Sequence, residues 1–230
     1  SADQPIWIWN SDTLAYRDRL SPGISLLPSF GAAPQQVASG SGLAWPTFSP
    51  DGRRMAYAAS GASGAWEITI APTDGSAAPS PHAPGKGPAW GPTGLLAWTG
   101  CETGSSDACG IFIDNPDDGQ PPTRVSGSIN DVALSWSPGG NKLAYMSNHT
   151  GNWDIYTYDV GGGFQVLTDD PASDGLPAWS PDGSAIAFVS DRNGDWGIYL
   201  MQPGGEDPRK VISLGDTLPN WTSQRLSWAP

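Results

Sequence analysis

Three aspartates recur at one offset in the second half of this 230-residue chain. Asp131, Asp174 and Asp216 each stand five residues before a tryptophan, in "NDVALSW", "DGLPAW" and "DTLPNW". Carboxylates gathered on one rim would hold a cation such as calcium, or grip a basic group such as a lysine or an amino terminus. The competing role is local, since Asp also caps turns through nearby backbone amides. The equivalent positions earlier in the chain carry no acid, so the site would be lopsided and suited to an asymmetric ligand. Polar loops add Asn148, Asn152, Arg192, Asn193 and Asp195, and Trp66, Trp153 and Trp196 follow such loops directly. Aromatic faces among Asp and Asn suit peptide or sugar recognition, although a tryptophan at a repeated position also suits packing. Catalytic signals are sparse. The two histidines, His82 in "PSPHAPG" and His149 in "SNHTG", lie in no zinc pattern, and no G-x-S-x-G elbow occurs. Acids abound, but no spacing singles out a glycosidase pair.

The offset repeats because the chain repeats. Aromatic anchors at Trp9, Phe48, Trp90, Trp136, Trp179 and Trp221 lie 39, 42, 46, 43 and 42 residues apart, close to the period of a four-stranded propeller blade. Four anchors are followed by turn sequences: Ser49-Pro50-Asp51-Gly52, Gly91-Pro92-Thr93-Gly94, Ser137-Pro138-Gly139-Gly140 and Ser180-Pro181-Asp182-Gly183. Proline presets φ at the second position of a type I turn, and glycine accepts the exit geometry. The outer copies, 10–13 and 222–225, keep the spacing and lose the proline.

A second strand follows each turn, as in "MAYAAS", "KLAYMS" and "AIAFVS". Neither face of these strands is polar, so both must be covered, as face-to-face packing of neighbouring blades would do. A polar loop, a third strand such as "WDIYTYD", and a short fourth such as "KVISL" complete the unit. The second unit offers no matching fourth strand, only "SAAPSPH". No segment has a 3.6-residue apolar period, so the chain is expected to be all-β, with blades near 5–40, 44–82, 87–126, 132–168 and 176–213 and a partial one at 218–230.

Composition agrees with that reading. Thirty glycines and twenty-three prolines punctuate apolar runs, and twelve tryptophans supply bulk. A formal charge of −12 disfavours nucleic acid and anionic lipid as partners. No apolar run reaches membrane-spanning length, and no signal peptide is read. Cys101 and Cys109 flank a polar loop in "WTGCETGSSDACGIF". If the flanking runs pair as a hairpin, a disulfide would staple its mouth and imply an extracytoplasmic home. Asn148 and Asn220 head glycosylation sequons.

The fifth unit, "PAWSPDGSAIAFVSDRNGDWGIYLM", resembles the TolB-type propeller repeat, a WD40-like unit. The second and fourth units follow it well, the first and third loosely, so the resemblance covers almost the whole chain. His149 stands where the family's S-x-R loop has arginine. The resemblance implies a propeller and, for function, several settings: periplasmic binding of lipoproteins and peptides, filter domains over hydrolases, and some polysaccharide-degrading enzymes.

Five units have room for four strands, but the last has only two, "LPNWT" and "RLSWAP". The expected architecture is therefore a six-bladed ring with an incomplete last blade, whose open edge would pair with a second copy or a partner's strand. The alternative is a five-bladed ring with the last hairpin used otherwise. The expected function is an extracytoplasmic binding module, not an enzyme, recognising a protein or peptide at the mouth lined by Asp131, Asp174, Asp216 and the loops between second and third strands. The rivals are a lectin-like carbohydrate binder using Trp66, Trp153 and Trp196, and a hydrolase or lyase or its accessory propeller.

Overall fold

The computed structural model describes residues 2–8, 11–102, 105, 107–218 and 221–228. Among them, twenty strands form five four-stranded antiparallel sheets, each a meander. Blade 1 holds β1 (Ala2–Trp7), β2 (Leu14–Asp18), β3 (Gly23–Leu27) and β4 (Gln35–Ser39). Blade 2 holds β5 (Leu43–Phe48), β6 (Arg54–Ser60), β7 (Trp66–Pro72) and β8 (Ser80–Pro84). The third has β9 (Lys86–Trp90), β10 (Leu96–Cys101), β11 (Cys109–Asp114) and β12 (Thr123–Arg124). Next come β13 (Val132–Trp136), β14 (Lys142–Ser147), β15 (Asp154–Asp159) and β16 (Phe164–Val166). Blade 5 holds β17 (Asp174–Trp179), β18 (Ile186–Ser190), β19 (Trp196–Met201) and β20 (Arg209–Gly215). The fourth strand that the second repeat lacked by pattern is β8, "SPHAP", where two prolines and no β-branched residue hide it from a propensity reading. Prolines are tolerated there because β8 is an outer edge.

The described residues form five blades, and this corrects the six-bladed expectation in favour of its alternative. Residues 221–223 form a short 3-10 turn, and 224–228 are not strand. A lone two-stranded hairpin is marginal in water. Here the apolar side chains of the last segment are covered elsewhere: Leu218, Trp221 and Leu226 pack on the cluster of Met146, Leu176 and Val189. Inner strands pack blade against blade from 1 to 5 in chain order (β1 and β2 on β5, β5 and β6 on β9, β9 on β13, β13 and β14 on β17). In blade 1 β2 encloses only Ala15, whereas the second strands of blades 2 to 5 are largely buried on both faces, as their two-sided apolar pattern requires, with Leu143, Met146, Ile186 and Phe188 fully enclosed. Each such side chain contributes about 1.5–3 kcal/mol of burial.

The S-P-D-G turns are held by their own side chains. In blade 2 the Ser49 hydroxyl donates to Asp51 Oδ1 at 2.6 Å and accepts from the Arg54 amide at 3.0 Å. Ser180 and Asp182 repeat this in blade 5. Burial of the anchor aromatic and closure of the turn thus come from adjacent residues.

Each inner strand also carries a bulge at one place. Gln4, Trp45, Gly87, Ala133 and Leu176 all have φ between 52° and 63°, and the pairing register shifts beside each of them. Each lies three residues before a large aromatic, and in blade 1 that aromatic is Trp7. Trp7 pairs with Leu14 as Phe48 pairs with Met55 and Trp179 with Ile186. The first anchor is therefore Trp7 and not Trp9, which lies outside the described residues. A two-residue slip preserves the inward and outward alternation of a strand, so the sequence pattern could not distinguish the two.

Candidate functional site

The inner strands face a central channel, and the bulges shape it. A bulge takes one residue out of the ladder and re-aims its neighbours. Freed backbone groups find other partners: the Trp45 amide donates to Gln4 Oε1 of the preceding blade at 2.7 Å. Trp7, Trp90, Trp136 and Trp179 border a cavity of about 300 Å3 there. Residues 225–228 border it too. Arg225 Nη2 donates to the Pro88 carbonyl at 2.9 Å, and Trp228 Nε1 donates to the Ala178 carbonyl at 2.9 Å. That last bond repeats an interblade one, since Trp136 Nε1 donates to the Ala89 carbonyl at 3.0 Å. Trp228 therefore meets blade 5 as Trp136 of blade 4 meets blade 3. Sequence reasoning missed this use of 225–228, because "RLSWAP" has the same alternation as a second strand. The one available signal was the preceding turn, 222–225, which lacks both proline and glycine.

Trp221 stands at the rim. Its ring lies 5.8 Å from that of Trp153, edge-on, and 5.1 Å from that of Trp196. Gly175 makes room: a Cβ there would come within 2.5 Å of the Trp221 ring. Trp66 meets Trp45 at 5.1 Å. All three rim tryptophans expected as ligand contacts are half-buried and engaged with other indoles.

Of the three expected aspartates, two are buried and bonded within the chain and one is exposed. Asp174 begins β17 and is wholly enclosed, with Oδ2 accepting from Arg192 Nη2 at 2.8 Å. Burial pushes its carboxyl above the ordinary range, against the opposing bonds from Ser190 and Arg192. Asp131 is buried before β13 and accepts the Ser128 amide at 3.1 Å, a local cap. Asp216 follows β20 and is exposed. Among the described residues no three His, Cys, Asp or Glu side chains are grouped to hold a metal ion.

The loop residues mostly brace the rim. Asn152 Nδ2 donates to the carbonyls of Asp170 and Ala172, each at 2.8 Å. Asp195 accepts from Lys210 Nζ at 2.6 Å and Ser213 Oγ at 2.7 Å, and those bonds hold its carboxyl below the usual range. Arg192 also reaches Asp170 at 3.1 Å and lies over Phe188 and Tyr199. Asn148 accepts from Asn130, while Asn193 and His149 are exposed. His82 is inside an interface, 2.9 Å from Asp114 Oδ2 and edge-on to Trp98. Asn220 of the second sequon lies outside the described residues. Cys101 and Cys109 are directly opposite in the β10–β11 hairpin and form a disulfide. No described helix is long and apolar enough to cross a membrane.

Meanders of four strands around a channel define a β-propeller. The chain belongs to the TolB β-propeller domain family, whose model matches residues 60–226. Its fold is similar to that of a TolB-type protein from Agrobacterium tumefaciens, with TM-score 0.79 and 22% identity over 94% of this chain and 82% of that one. TolB from Acinetobacter baumannii gives 0.77 and 21% over 94% of this chain and 55% of its own. A puromycin-hydrolysing peptidase from Mycobacterium tuberculosis gives 0.68 and 21% over 99% of this chain, which spans 40% of the peptidase. No curated protein sequence matches the chain.

Proposed function

We propose that this propeller is a non-enzymatic recognition module of an extracytoplasmic compartment, which takes an extended protein or peptide segment across its mouth and into its channel. One observation carries the reading: residues 221–228, which belong to no blade, already lie there. An indole sits against Trp153 and Trp196, and two side chains donate to inner-strand carbonyls, those of Pro88 and Ala178. The inner strand of a blade is an edge strand toward the channel, so its backbone groups are open to a segment that is not itself a blade. Burial of Asp131 and Asp174 gives them a bracing role and leaves recognition to aromatics and main-chain carbonyls. Engagement of the rim indoles with one another favours peptide over sugar. The disulfide supports an oxidising compartment.

The test supplies the segment in trans. A synthetic peptide of residues 218–228 is titrated calorimetrically into the unmodified chain and into the Trp221→Ala/Trp228→Ala variant. The expectation is a dissociation constant in the micromolar range, about −8 kcal/mol, for the variant and much weaker binding where the seat is already filled. Absence of binding to a variant that is folded by circular dichroism overturns the reading. A second reading, a propeller accessory to a larger peptidase, is favoured by the match that covers 40% of such an enzyme. It gains if the recovered peptide is cleaved.

A further inference from the structure

Several cations of this acidic chain have carboxylate partners, and Arg225, which borders the channel, has none among the described residues. Arg54, Lys142, Arg192 and Lys210 all meet aspartates. Arg225 meets only the Pro88 carbonyl, and no carboxylate among the described residues approaches it. Its surroundings are apolar. Of the side chains bordering the 300 Å3 cavity, Arg225 is the one ionisable group, and the polar remainder are hydroxyls such as Thr47, Ser135 and Ser227. Burial pushes the guanidinium down to about 10, which still leaves it protonated at neutral pH. A charge in such a setting carries a desolvation cost that a counter-ion offsets.

We propose that the channel is a binding site for a small carboxylate with an apolar or aromatic body, with Arg225 as its cation. A guanidinium has five N–H donors in a planar fork, and Pro88 takes one. The fork matches the two oxygens of a carboxylate, which gives a bidentate, charge-assisted pair. The guanidinium lies beside the blade 3 bulge at Gly87. A Cβ on Gly87 would stand 3.8 Å from Arg225 Nη2, at ordinary contact distance. Trp90, Trp136 and Trp228 form a wall for the ligand's body. The volume equals that of about ten water molecules, which sets the size of the ligand. The site concerns the same channel as the peptide reading, yet it needs residues 221–228 in place and no peptide at all.

The experiment therefore uses the unmodified chain, with phenylacetate and its neutral isostere phenylacetamide as probes, read by calorimetry and tryptophan fluorescence. Phenylacetate should bind at least tenfold more tightly than the amide, and salt should weaken only the acid. Arg225→Gln should erase the difference, while Arg225→Lys keeps a reduced one. Equal binding of the two probes overturns the proposal, as does the absence of a saturable signal with phenylacetate. So does a preference for the acid that survives in folded Arg225→Gln. If Arg225→Gln fails to fold, the two-probe comparison and the lysine variant decide. Failure here leaves the trans-peptide result untouched, and the reverse also holds.

Discussion

Gly91 occupies the first turn position where three other blades have serine, so repeat logic recommends Gly91→Ser as a stabilising repair. The structure predicts the opposite. An ideal Cβ on Gly91 would stand 2.9 Å from Trp136 Cδ2 and 3.0 Å from Cγ, inside the blade 3–blade 4 interface. Trp136 is 5% exposed, and its Nε1 is bonded to the Ala89 carbonyl, so the ring cannot withdraw without losing that bond. Overpacking of this kind costs about 1–3 kcal/mol. The new hydroxyl could recover at most about 1 kcal/mol by capping its turn as Ser49 does, and this turn is one residue shorter, closing from Gly91 to Leu95 where the other closes from Ser49 to Arg54. The net loss is about 1–2 kcal/mol, which lowers the melting temperature of a chain of this size by about 2–8 °C. Thermal and urea denaturation followed by tryptophan fluorescence measures it, with Gly91→Ala separating the Cβ from the hydroxyl. A serine variant that melts at or above the parent temperature would refute the packing argument.

Two further predictions concern stability. Asp182 is held at about 2 by Ser180 and by Ser184. Its folded value lies below the unfolded one, so its contribution is full above about pH 4 and is lost as pH falls toward 2. Asp182→Asn should flatten the acid limb of stability, read as the urea midpoint across that range; an unchanged acid limb would contradict the turn assignment. Reduction of the Cys101–Cys109 disulfide, eight residues apart, should cost about 2.5 kcal/mol by loop-closure entropy. The Cys101→Ser/Cys109→Ser variant should show the same fall in melting temperature as the reduced chain, and no fall in either would place the hairpin's stability elsewhere.

The blades were legible because a blade is mostly local. Anchor, turn, two-sided apolar strand and polar loop follow within about 40 residues, and the family resemblance carried by "PAWSPDGSAIAFVSDRNGDWGIYLM" rests on that contiguity. The hairpin holding Cys101 opposite Cys109 was foreseeable for the same reason. The site was much less legible. Asp131 and Asp174 have the residue type and offset of a rim of acids, but the spacing says nothing of whether a cap or Arg192 has already claimed them. By pattern alone the tryptophans at 153 and 196 suit either packing or recognition, and it is the indole of Trp221 against both that decides for packing.

What the sequence determined alone is the repeat, its all-β character and the turns that punctuate it, since alternation and turn chemistry are properties of neighbouring residues. Only the tertiary structure decided that Trp7 is the first anchor, that the described residues form five blades, and that 221–228 lie along the channel. These outcomes depend on partners as far apart as Arg225 and Pro88 or Trp228 and Ala178. An apolar segment goes wherever it is best covered, and that choice is made by surfaces the rest of the chain has built.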